Sequence, residues 1–381
     1  MKKILYISGT RADYGLMRAV LKRIDATPGL ELEVITTGMH LMPEFGNSVD
    51  EIIADGFAIH KIPVVHKEDT RESMAEFVGS LIVFLIKKVR EIRPDLILLL
   101  GDRGEMLAGA SVGNYAGIPV AHIHGGEITS TVDEPVRHAI TKLAHIHLPA
   151  TKKSARRIIR MGEDPSRVHV VGAPGLEPIL SGVFMPKAEL MRKYRINPDQ
   201  PLLLVIQHPV SAEISDAAQQ MRATLTAVAG SHHQALVMYP NADAGGRQMI
   251  SIIKDFCRKN PQIHGYKNLP HEDYLGLLKI ASLLIGNSSS GIIEAPSFHL
   301  PVVNIGTRQE GRERAGNTIE TGYAEPEISA AIKKALSDPV FLEKVRRCRN
   351  PYSSGDSSKR IVELLQHVDF EKTGVQKVNF Y

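Results

Sequence analysis

Acidic residues, histidines and glycines are concentrated between residues 101 and 135 of this chain of 381 residues. Gly101-Asp102-Arg103-Gly104-Glu105 follows one apolar run, and His122-Ile123-His124-Gly125-Gly126-Glu127 ends a second. Asp133-Glu134-Pro135 then precedes a helical stretch. Ligands of an open parallel sheet bind just past the carboxyl ends of its strands. Carboxylates crowded at that edge can have strongly shifted pKa values, so this cluster could perform acid–base chemistry.

A second candidate site binds phosphate, and it lies in the segment LLIGNSSSGIIE at residues 283–294. An apolar strand leads into a serine-rich turn and then into a helix. Serine hydroxyls cap such a helix, and its free N–H groups can bind a phosphate. Glu294, one turn into the predicted helix, could bind both hydroxyls of a ribose. The alternative is an ordinary N-cap followed by a solvated glutamate.

Two of these features have simpler interpretations. His122 and His124 lie at positions i and i+2, so they face the same side of a strand, and that spacing can ligate zinc. Because no cysteine or second histidine pair stands at a ligand spacing, we predict no metal site and a hydrogen-bonded histidine at the strand end for one of the two. Asp133, near the N-cap of its helix, could be only a capping residue.

The elements that position these residues alternate between strands and helices. Strands are predicted at residues 3–7, 32–36, 96–100, 118–123 and 168–171, with a further set beginning at residue 202. Such alternation is typical of parallel sheets with right-handed crossovers. We therefore predict two doubly wound α/β domains facing across a cleft, at residues 1–178 and 179–362. Apolar residues at helical spacing near the end predict a helix in which residues 363–381 return to the first domain.

Composition limits the class of protein. The net charge is +4 with a pI near 8.9, and basic residues are dispersed among nearly equal acids, which does not indicate a nucleic-acid partner. Two cysteines cannot form a disulfide framework. No apolar stretch is long enough to span a bilayer, and the first residues form a strand rather than a signal peptide. We expect a cytoplasmic protein that does not bind membranes.

Seven short motifs occur in one order between residues 9 and 314: GTRADYG, TGMH, LGDR, HIHGGE, DEPVRHAITKLAH, GNSSSG and GTRQEGR. Together they make the chain resemble the hydrolysing UDP-N-acetylglucosamine 2-epimerases of sialic-acid biosynthesis. It also resembles their relatives that act on UDP-N,N′-diacetylbacillosamine in the legionaminic-acid route. The resemblance implies two Rossmann-like domains in a GT-B-like arrangement, UDP in the cleft, no redox cofactor, and a homo-oligomer, either a dimer or a tetramer.

Site residues follow from the resemblance position by position. It implies that phosphate and UDP contacts come from Arg11, Gly15, Arg103, His208, Asn241, Ser288, Ser289, Glu294 and Arg308, with the backbone near Leu269 at the uracil. Asp102 and Asp133 match carboxylates implicated in catalysis. Some relatives have a glutamate where this chain has His124, so His124, Glu127 or Asp133 could take over that role.

The implied reaction begins with loss of UDP from C1 and of the proton from C2, which gives a glycal. Cationic groups would stabilise the leaving phosphate, and Asp102 or Asp133 would take the proton. Water then adds at C1 and a proton returns to C2, so the products are N-acetylmannosamine and UDP if the substrate is UDP-N-acetylglucosamine. The alternatives are a non-hydrolysing 2-epimerase, whose usual first motif is GTRPE, a retaining glycosyltransferase, and a UDP-sugar sensor without turnover.

Overall fold

The computed structural model describes residues 1–46, 48–130, 132–370 and 377–380. Its described part contains two six-stranded sheets in which every strand pairing is parallel. The first sheet consists of β1 (Lys2–Ser8), β2 (Leu30–Thr36), β3 (Ala58–Lys61), β4 (Leu96–Leu100), β5 (Val120–Ile123) and β6 (Ile146–Leu148). The second consists of β7 (Leu202–Ile206), β8 (Gln234–Met238), β9 (Ile263–Tyr266), β10 (Leu283–Gly286), β11 (Val302–Ile305) and β12 (Thr318–Thr321). The predicted fold class is confirmed.

Helices connect the strands and cover both faces of each sheet. In the first half they are α1 (Arg11–Asp25), α2 (Val49–Ala54), α3 (Arg71–Ile92), α4 (Gly104–Ala116), α5 (Asp133–Leu143), α6 (Lys152–Arg160), α7 (Glu177–Leu180) and α8 (Lys187–Tyr194). In the second half they are α9 (Ala217–Gly230), α10 (Gly246–Lys259), α11 (His271–Ile280), α12 (Ser290–Ile293), α13 (Glu325–Ser337), α14 (Pro339–Arg346) and α15 (Ser357–His367). Short 3-10 turns join several of them.

Burial on both faces explains why the central strands are continuously apolar. All five side chains of β4, Leu96–Leu100, are buried, and so are all five of β7, Leu202–Ile206. Parallel strands covered by helices on both sides have this composition because neither face meets water. One buried apolar cluster lies on each face of each sheet. The apolar runs of the sequence therefore identify the two cores directly.

Strand order determines where a ligand can bind. The first sheet has the order β3-β2-β1-β4-β5-β6, and the second has β12-β11-β10-β7-β8-β9. The winding reverses between β1 and β4, and again between β7 and β10, and a crevice opens beyond the strand ends at such a reversal. Thr10 and Asp102 follow the first pair of strands, while His208 and Ser288 follow the second.

The chain returns to the first sheet near its end. Ile361, Val362 and Leu365 of α15 belong to the same buried cluster as α1, and Lys2 donates hydrogen bonds to carbonyls at the end of α15. Residues 371–376 and 381 of the predicted returning segment lie outside the described residues. The predicted strand at 168–171 was wrong: Val168 forms only an isolated bridge to His147, since the segment runs past the edge strand β6.

Candidate active site

A cavity of about 300 Å³ lies between the two sheets, where their strand-end crevices face each other. It contains nine of the residues to which the resemblance assigns a role: Arg11, Asp102, Arg103, Asp133, His208, Asn241, Ser288, Ser289 and Arg308. These residues are up to 297 positions apart in the chain. The fold brings them together because each follows the carboxyl end of a strand or begins the next helix.

A second cavity, of about 200 Å³, adjoins the first and shares Arg11, His208, Ser288 and Ser289 with it. Its wall adds the apolar side chain of Leu269 and the polar side chains of His271, Tyr274 and Glu294. Gly15 does not appear in the lining of either cavity, but it faces this wall: a Cβ atom there would lie 2.5 Å from His271 Nδ1. The glycine therefore allows α1 to approach α11 of the other half.

Asp102 is an ionised carboxylate surrounded by guanidinium groups. Burial favours its neutral form, but Arg137, Arg312 and Arg308 outweigh burial and hold the pKa of Asp102 below its ordinary value. Arg137 itself is 1% exposed and donates a hydrogen bond to Asp102 Oδ2. A carboxylate stabilised in this way is a weak proton acceptor and a strong source of negative potential.

Asp133 lines the same cavity from the start of a helix. It is the first residue of α5, rather than the N-cap that the sequence suggested, and Val132 stands at the N-cap. Its Oδ2 lies 3.8 Å from Arg308 Nη2, and a quarter of its side chain is exposed. Pro135 is accordingly the third residue of the helix. Asp133, like Asp102, lines the cavity and can approach a ligand there.

Glu127 and His124 form a buried network that supports the cavity. Glu127 Oε1 lies 2.7 Å from His124 Nδ1, and Glu127 Oε2 lies 2.5 Å from Arg312 Nη1. Burial opposes the ionisation of Glu127, but Arg312 and His124 lower its pKa to about 2. Neither His124 nor Glu127 is among the residues lining the two cavities described so far. His124 has a left-handed backbone with φ of 62°.

Several cationic and hydrogen-bonding groups face the cleft from both sides. Arg11 Nη1 bonds to Asn268 Oδ1 at 2.5 Å, across the two halves, and Arg103 Nη2 lies 3.6 Å from Asp243 Oδ1. Burial, Arg308 and Arg103 lower the pKa of His208 to about 3, so its ring is neutral. Because His208 Nδ1 accepts the N–H of Asn241 at 3.2 Å, its proton is on Nε2. That N–H is available to a phosphate oxygen.

The serine-rich turn differs in one respect from the predicted arrangement. The helix after it, α12, has only four residues, so Glu294 stands at its C-cap instead of within a longer helix. Glu294 is 6% exposed, and burial raises its pKa to about 7. Tyr274 hydrogen-bonds to Ser290 beside it. A solvated glutamate, the simpler alternative, is excluded by this burial.

Sequence reasoning missed three charged residues that organise the cavity: Arg137, Arg312 and Asp243. Arg312 reaches Glu127 directly and acts electrostatically on Asp102, while Arg137 holds Asp102. Both arginines occur inside quoted motifs, DEPVRHAITKLAH and GTRQEGR, so a search of those motifs for buried cations could have found them. Asp243 gave no comparable signal, because only the fold places it beside Arg103.

Within the part of the chain that the structure describes, no three His, Cys, Asp or Glu side chains are grouped so that they could hold a metal ion. His122 Nε2 bonds to the carbonyl of Gly101 at 2.7 Å, and His124 bonds to Glu127. Both are thus hydrogen-bonded histidines. Across the same described residues, no helix is long and apolar enough to cross a membrane.

Comparison with known proteins gives a consistent result. Residues 22–366 match the family described as UDP-N-acetylglucosamine 2-epimerase. The chain is 39% identical to a hydrolysing UDP-N,N′-diacetylbacillosamine 2-epimerase of Legionella pneumophila, with 100% of both chains aligned. It is 33% identical to a UDP-N-acetylglucosamine 2-epimerase of Neisseria meningitidis, over 99% of this chain and 98% of that one.

Solved structures share the fold. A UDP-GlcNAc 2-epimerase from Neisseria meningitidis bound to UDP-GlcNAc superposes with a TM-score of 0.82 at 20% identity, covering 96% of this chain and 99% of that one. The enzyme of Methanocaldococcus jannaschii in complex with UDP-GlcNAc and UDP has a TM-score of 0.81 at 18% identity, with coverage of 97% and 100%. At these identities the likeness concerns the fold alone.

Proposed function

The chain belongs to the UDP-N-acetylglucosamine 2-epimerase family, and from this membership we propose how its cleft carries out a hydrolysing 2-epimerase reaction. The substrate is a UDP-linked 2-acetamido sugar, either N-acetylglucosamine or N,N′-diacetylbacillosamine, and the products are UDP and the free 2-epimer. The observation that carries the proposal is one cavity whose lining brings Asp102 and Asp133 together with the cations that a departing pyrophosphate requires.

UDP occupies the second cavity and the adjoining part of the first. The uracil packs near Leu269, and the ribose hydroxyls bind Glu294, whose carboxyl is buried beside Tyr274. The pyrophosphate then lies among Arg11, Arg103, His208, Arg308 and the hydroxyls of Ser288 and Ser289. These groups are held in place before the reaction, so they stabilise the charge that develops on the leaving phosphate.

Asp102 and Asp133 have separate roles in the elimination. As UDP leaves, positive charge builds at C1, and the ionised Asp102 stabilises it electrostatically. Asp133 takes the proton from C2, because it lines the same cavity, whereas the low pKa that Arg137, Arg312 and Arg308 give Asp102 makes Asp102 a poor base. The C2–H and C1–O bonds break together, and the electron pair of C2–H becomes the C1–C2 double bond of the glycal.

Hydration completes the reaction. Water adds its oxygen to C1, and a proton is delivered to C2 on the opposite face. One water molecule is therefore consumed for each UDP released. His124 and Glu127 act as positioning residues in this scheme, because they hold Arg312, which in turn acts on Asp102. No hydride moves, and the scheme requires no redox cofactor.

The remaining properties are proposals that rest on the resemblance. The enzyme acts as a homo-oligomer in the cytoplasm, on a small UDP-sugar rather than on nucleic acid or a membrane. Residues 1–178 carry the carboxylates and residues 179–362 bind most of the UDP. The product would feed the synthesis of sialic or legionaminic acids.

The test is turnover in isotopic water. Each UDP-sugar is incubated with the protein in D₂O or ¹⁸O-water, and the products are identified by NMR and mass spectrometry. We expect a free 2-epimer carrying deuterium at C2 and ¹⁸O at C1, formed in equal amount with unlabelled UDP. A UDP-linked epimer would indicate a non-hydrolysing enzyme, ¹⁸O in UDP would indicate attack at phosphorus, and an intact substrate would indicate a sensor.

A further inference from the structure

A cluster of charged side chains holds the carboxyl end of α5, the helix that begins at Asp133. Glu163 lies at its centre, with only 2% of its side chain exposed. The ammonium of Lys142 lies 2.6 Å from Glu163 Oε1, and that of Lys377 lies 2.6 Å from Glu163 Oε2. His147 of β6 places its Nε2 atom 2.9 Å from the same Oε2. The proposed function gives this cluster no role.

Lys377 also binds the last carbonyls of α5. Its Nζ donates hydrogen bonds to the carbonyl oxygens of Thr141, Lys142 and Ala144, at 3.0, 2.6 and 2.6 Å. The last carbonyls of a helix have no partner within the helix and carry partial negative charge, so a cation is stabilising there. Burial lowers the pKa of Lys377 to about 8, although Glu163 raises it, so the ammonium is mostly charged at neutral pH.

Neighbours of Lys377 in the chain bind the same region. The N–H of Phe380 donates to the carbonyl of Gly162 at 2.7 Å, in the loop after α6. Asn379 Oδ1 accepts a hydrogen bond from Lys142 Nζ at 2.7 Å. The described residues 377–380 therefore connect the end of α5 to the loop after α6.

The other end of α5 carries two groups of the candidate active site. Asp133, the proposed base, is its first residue, and Arg137, one turn later, donates a hydrogen bond to Asp102. Because an α-helix rises about 1.5 Å per residue, Asp133 lies roughly 15 Å from the end that Lys377 caps. A shift or tilt of the helix at its capped end would therefore move both groups relative to a substrate in the cavity.

We propose that Lys377 is a positioning residue for catalysis: by holding the end of α5 against Glu163, it sets the place of Asp133 in the cavity. This role rests on the proposed function, in which Asp133 takes the proton from C2. Lys377 lies a helix length from the cavity, and most UDP contacts come from the second half of the chain. Its removal should therefore lower kcat and leave UDP binding unchanged, since a misplacement of about 1 Å can slow a reaction about 10²-fold.

The test removes the side chain of Lys377 and returns its ammonium from solution. Lys377→Ala leaves a space that propylammonium fits, because this ion has the three missing carbons and the ammonium. We expect kcat to fall roughly 10- to 100-fold while KM stays within about threefold, and we expect propylammonium to restore part of kcat in a saturable manner. Tetramethylammonium has the same charge but donates no hydrogen bond, so it should restore nothing.

Lys2→Ala is the matched control. Lys2 Nζ caps α15 in the same way, since it donates to the carbonyls of Leu365, Gln366 and Val368 at 3.3, 2.6 and 2.7 Å. None of the described residues that line the two cavities comes from α15. Lys2→Ala should therefore lower the urea midpoint, as Lys377→Ala does, but leave kcat unchanged. Should Lys377→Ala fold poorly, Lys377→Met keeps the aliphatic stem and is compared with Lys2→Met by kcat.

The outcomes distinguish the role of Lys377 from the proposed function. If the original chain turns over neither UDP-sugar, the proposed function is overturned. If the original chain is active, three results overturn the role of Lys377 and leave the epimerase standing. They are an unchanged kcat in Lys377→Ala, a fall equal to that in Lys2→Ala, and a fall that propylammonium does not restore. A kcat that falls in Lys377→Ala alone and recovers with propylammonium supports the role.

Discussion

Replacing Asp133 by asparagine separates the catalytic role of this residue from its place at the start of α5. Asparagine keeps the shape of the aspartate side chain and is also favoured at the start of a helix, but it cannot take a proton. If Asp133 is the base at C2, kcat should fall at least ~10²-fold, which corresponds to about 2.7 kcal/mol of transition-state free energy at about 1.36 kcal/mol per factor of ten.

Two other effects of this change can be sized from the structure. The charge of Asp133 interacts with the helix dipole, worth about 0.3–1 kcal/mol, and with Arg308 at 3.8 Å, worth at most about 1 kcal/mol because both side chains are partly exposed. The free energy of unfolding should therefore change by less than the activation free energy does. The dissociation constant of UDP should stay within about fivefold of the original.

The assay follows release of free sugar by NMR under saturating substrate, with deuterium incorporation at C2 measured separately. Asp338→Asn is the matched control, since Asp338 caps α14 far from the cleft and accepts the N–H groups of Val340 and Phe341. It should leave kcat unchanged. Full activity in Asp133→Asn would refute the assignment and leave Asp133 as a residue of the helix start alone, and the base would then have to be sought at Asp102.

Four further outcomes are expected. Between pH 4.5 and about 7 the folded protein keeps a proton on Glu294 that the unfolded chain releases, so the stability that Glu294 contributes should fall by up to about 3 kcal/mol as pH rises. Urea titrations at pH 5 and 8 should show this as a change in the difference in unfolding free energy between the original chain and Glu294→Gln. UDP affinity should rise over the same pH range, because Glu294 loses its proton there and its carboxylate binds the ribose hydroxyls. Glu294→Ala should raise KM by roughly 10- to 100-fold. Gly15→Ala should raise KM because its Cβ would meet His271, whereas Gly79→Ala, with open space around it, should not; equal KM values would contradict this. Glu127→Gln should cost about 3–5 kcal/mol of stability by leaving its cationic partner buried; an unchanged urea midpoint would show that the ion pair is dispensable.

Local patterns were sufficient for the central strands, such as β1, β4 and β7. The apolar run at residues 96–100 could only be a strand buried on both faces, and the structure has it so. The segment 168–171 was predicted as a strand because it is apolar and alternating. In the structure it pairs with β6 through a single bridge, so it does not form a strand. Pairing is a property of the neighbouring strand, which a local pattern does not contain.

The sequence by itself determined the fold class, the family and the segments that reach the cleft, because periodicity and motif order are local or additive along the chain. It could not assign different electrostatic roles to Asp102 and Asp133, since both are carboxylates after a strand or before a helix. Tertiary structure decided the role of Asp102 by placing Arg137 and Arg312 beside it, which lowers its pKa. It also decided the burial of Glu294 and the contact of Lys377 with the carboxyl end of α5. The burial of a side chain and the electrostatic field at a carboxylate depend on distances between segments that are remote in the chain. Only the folded structure sets those distances.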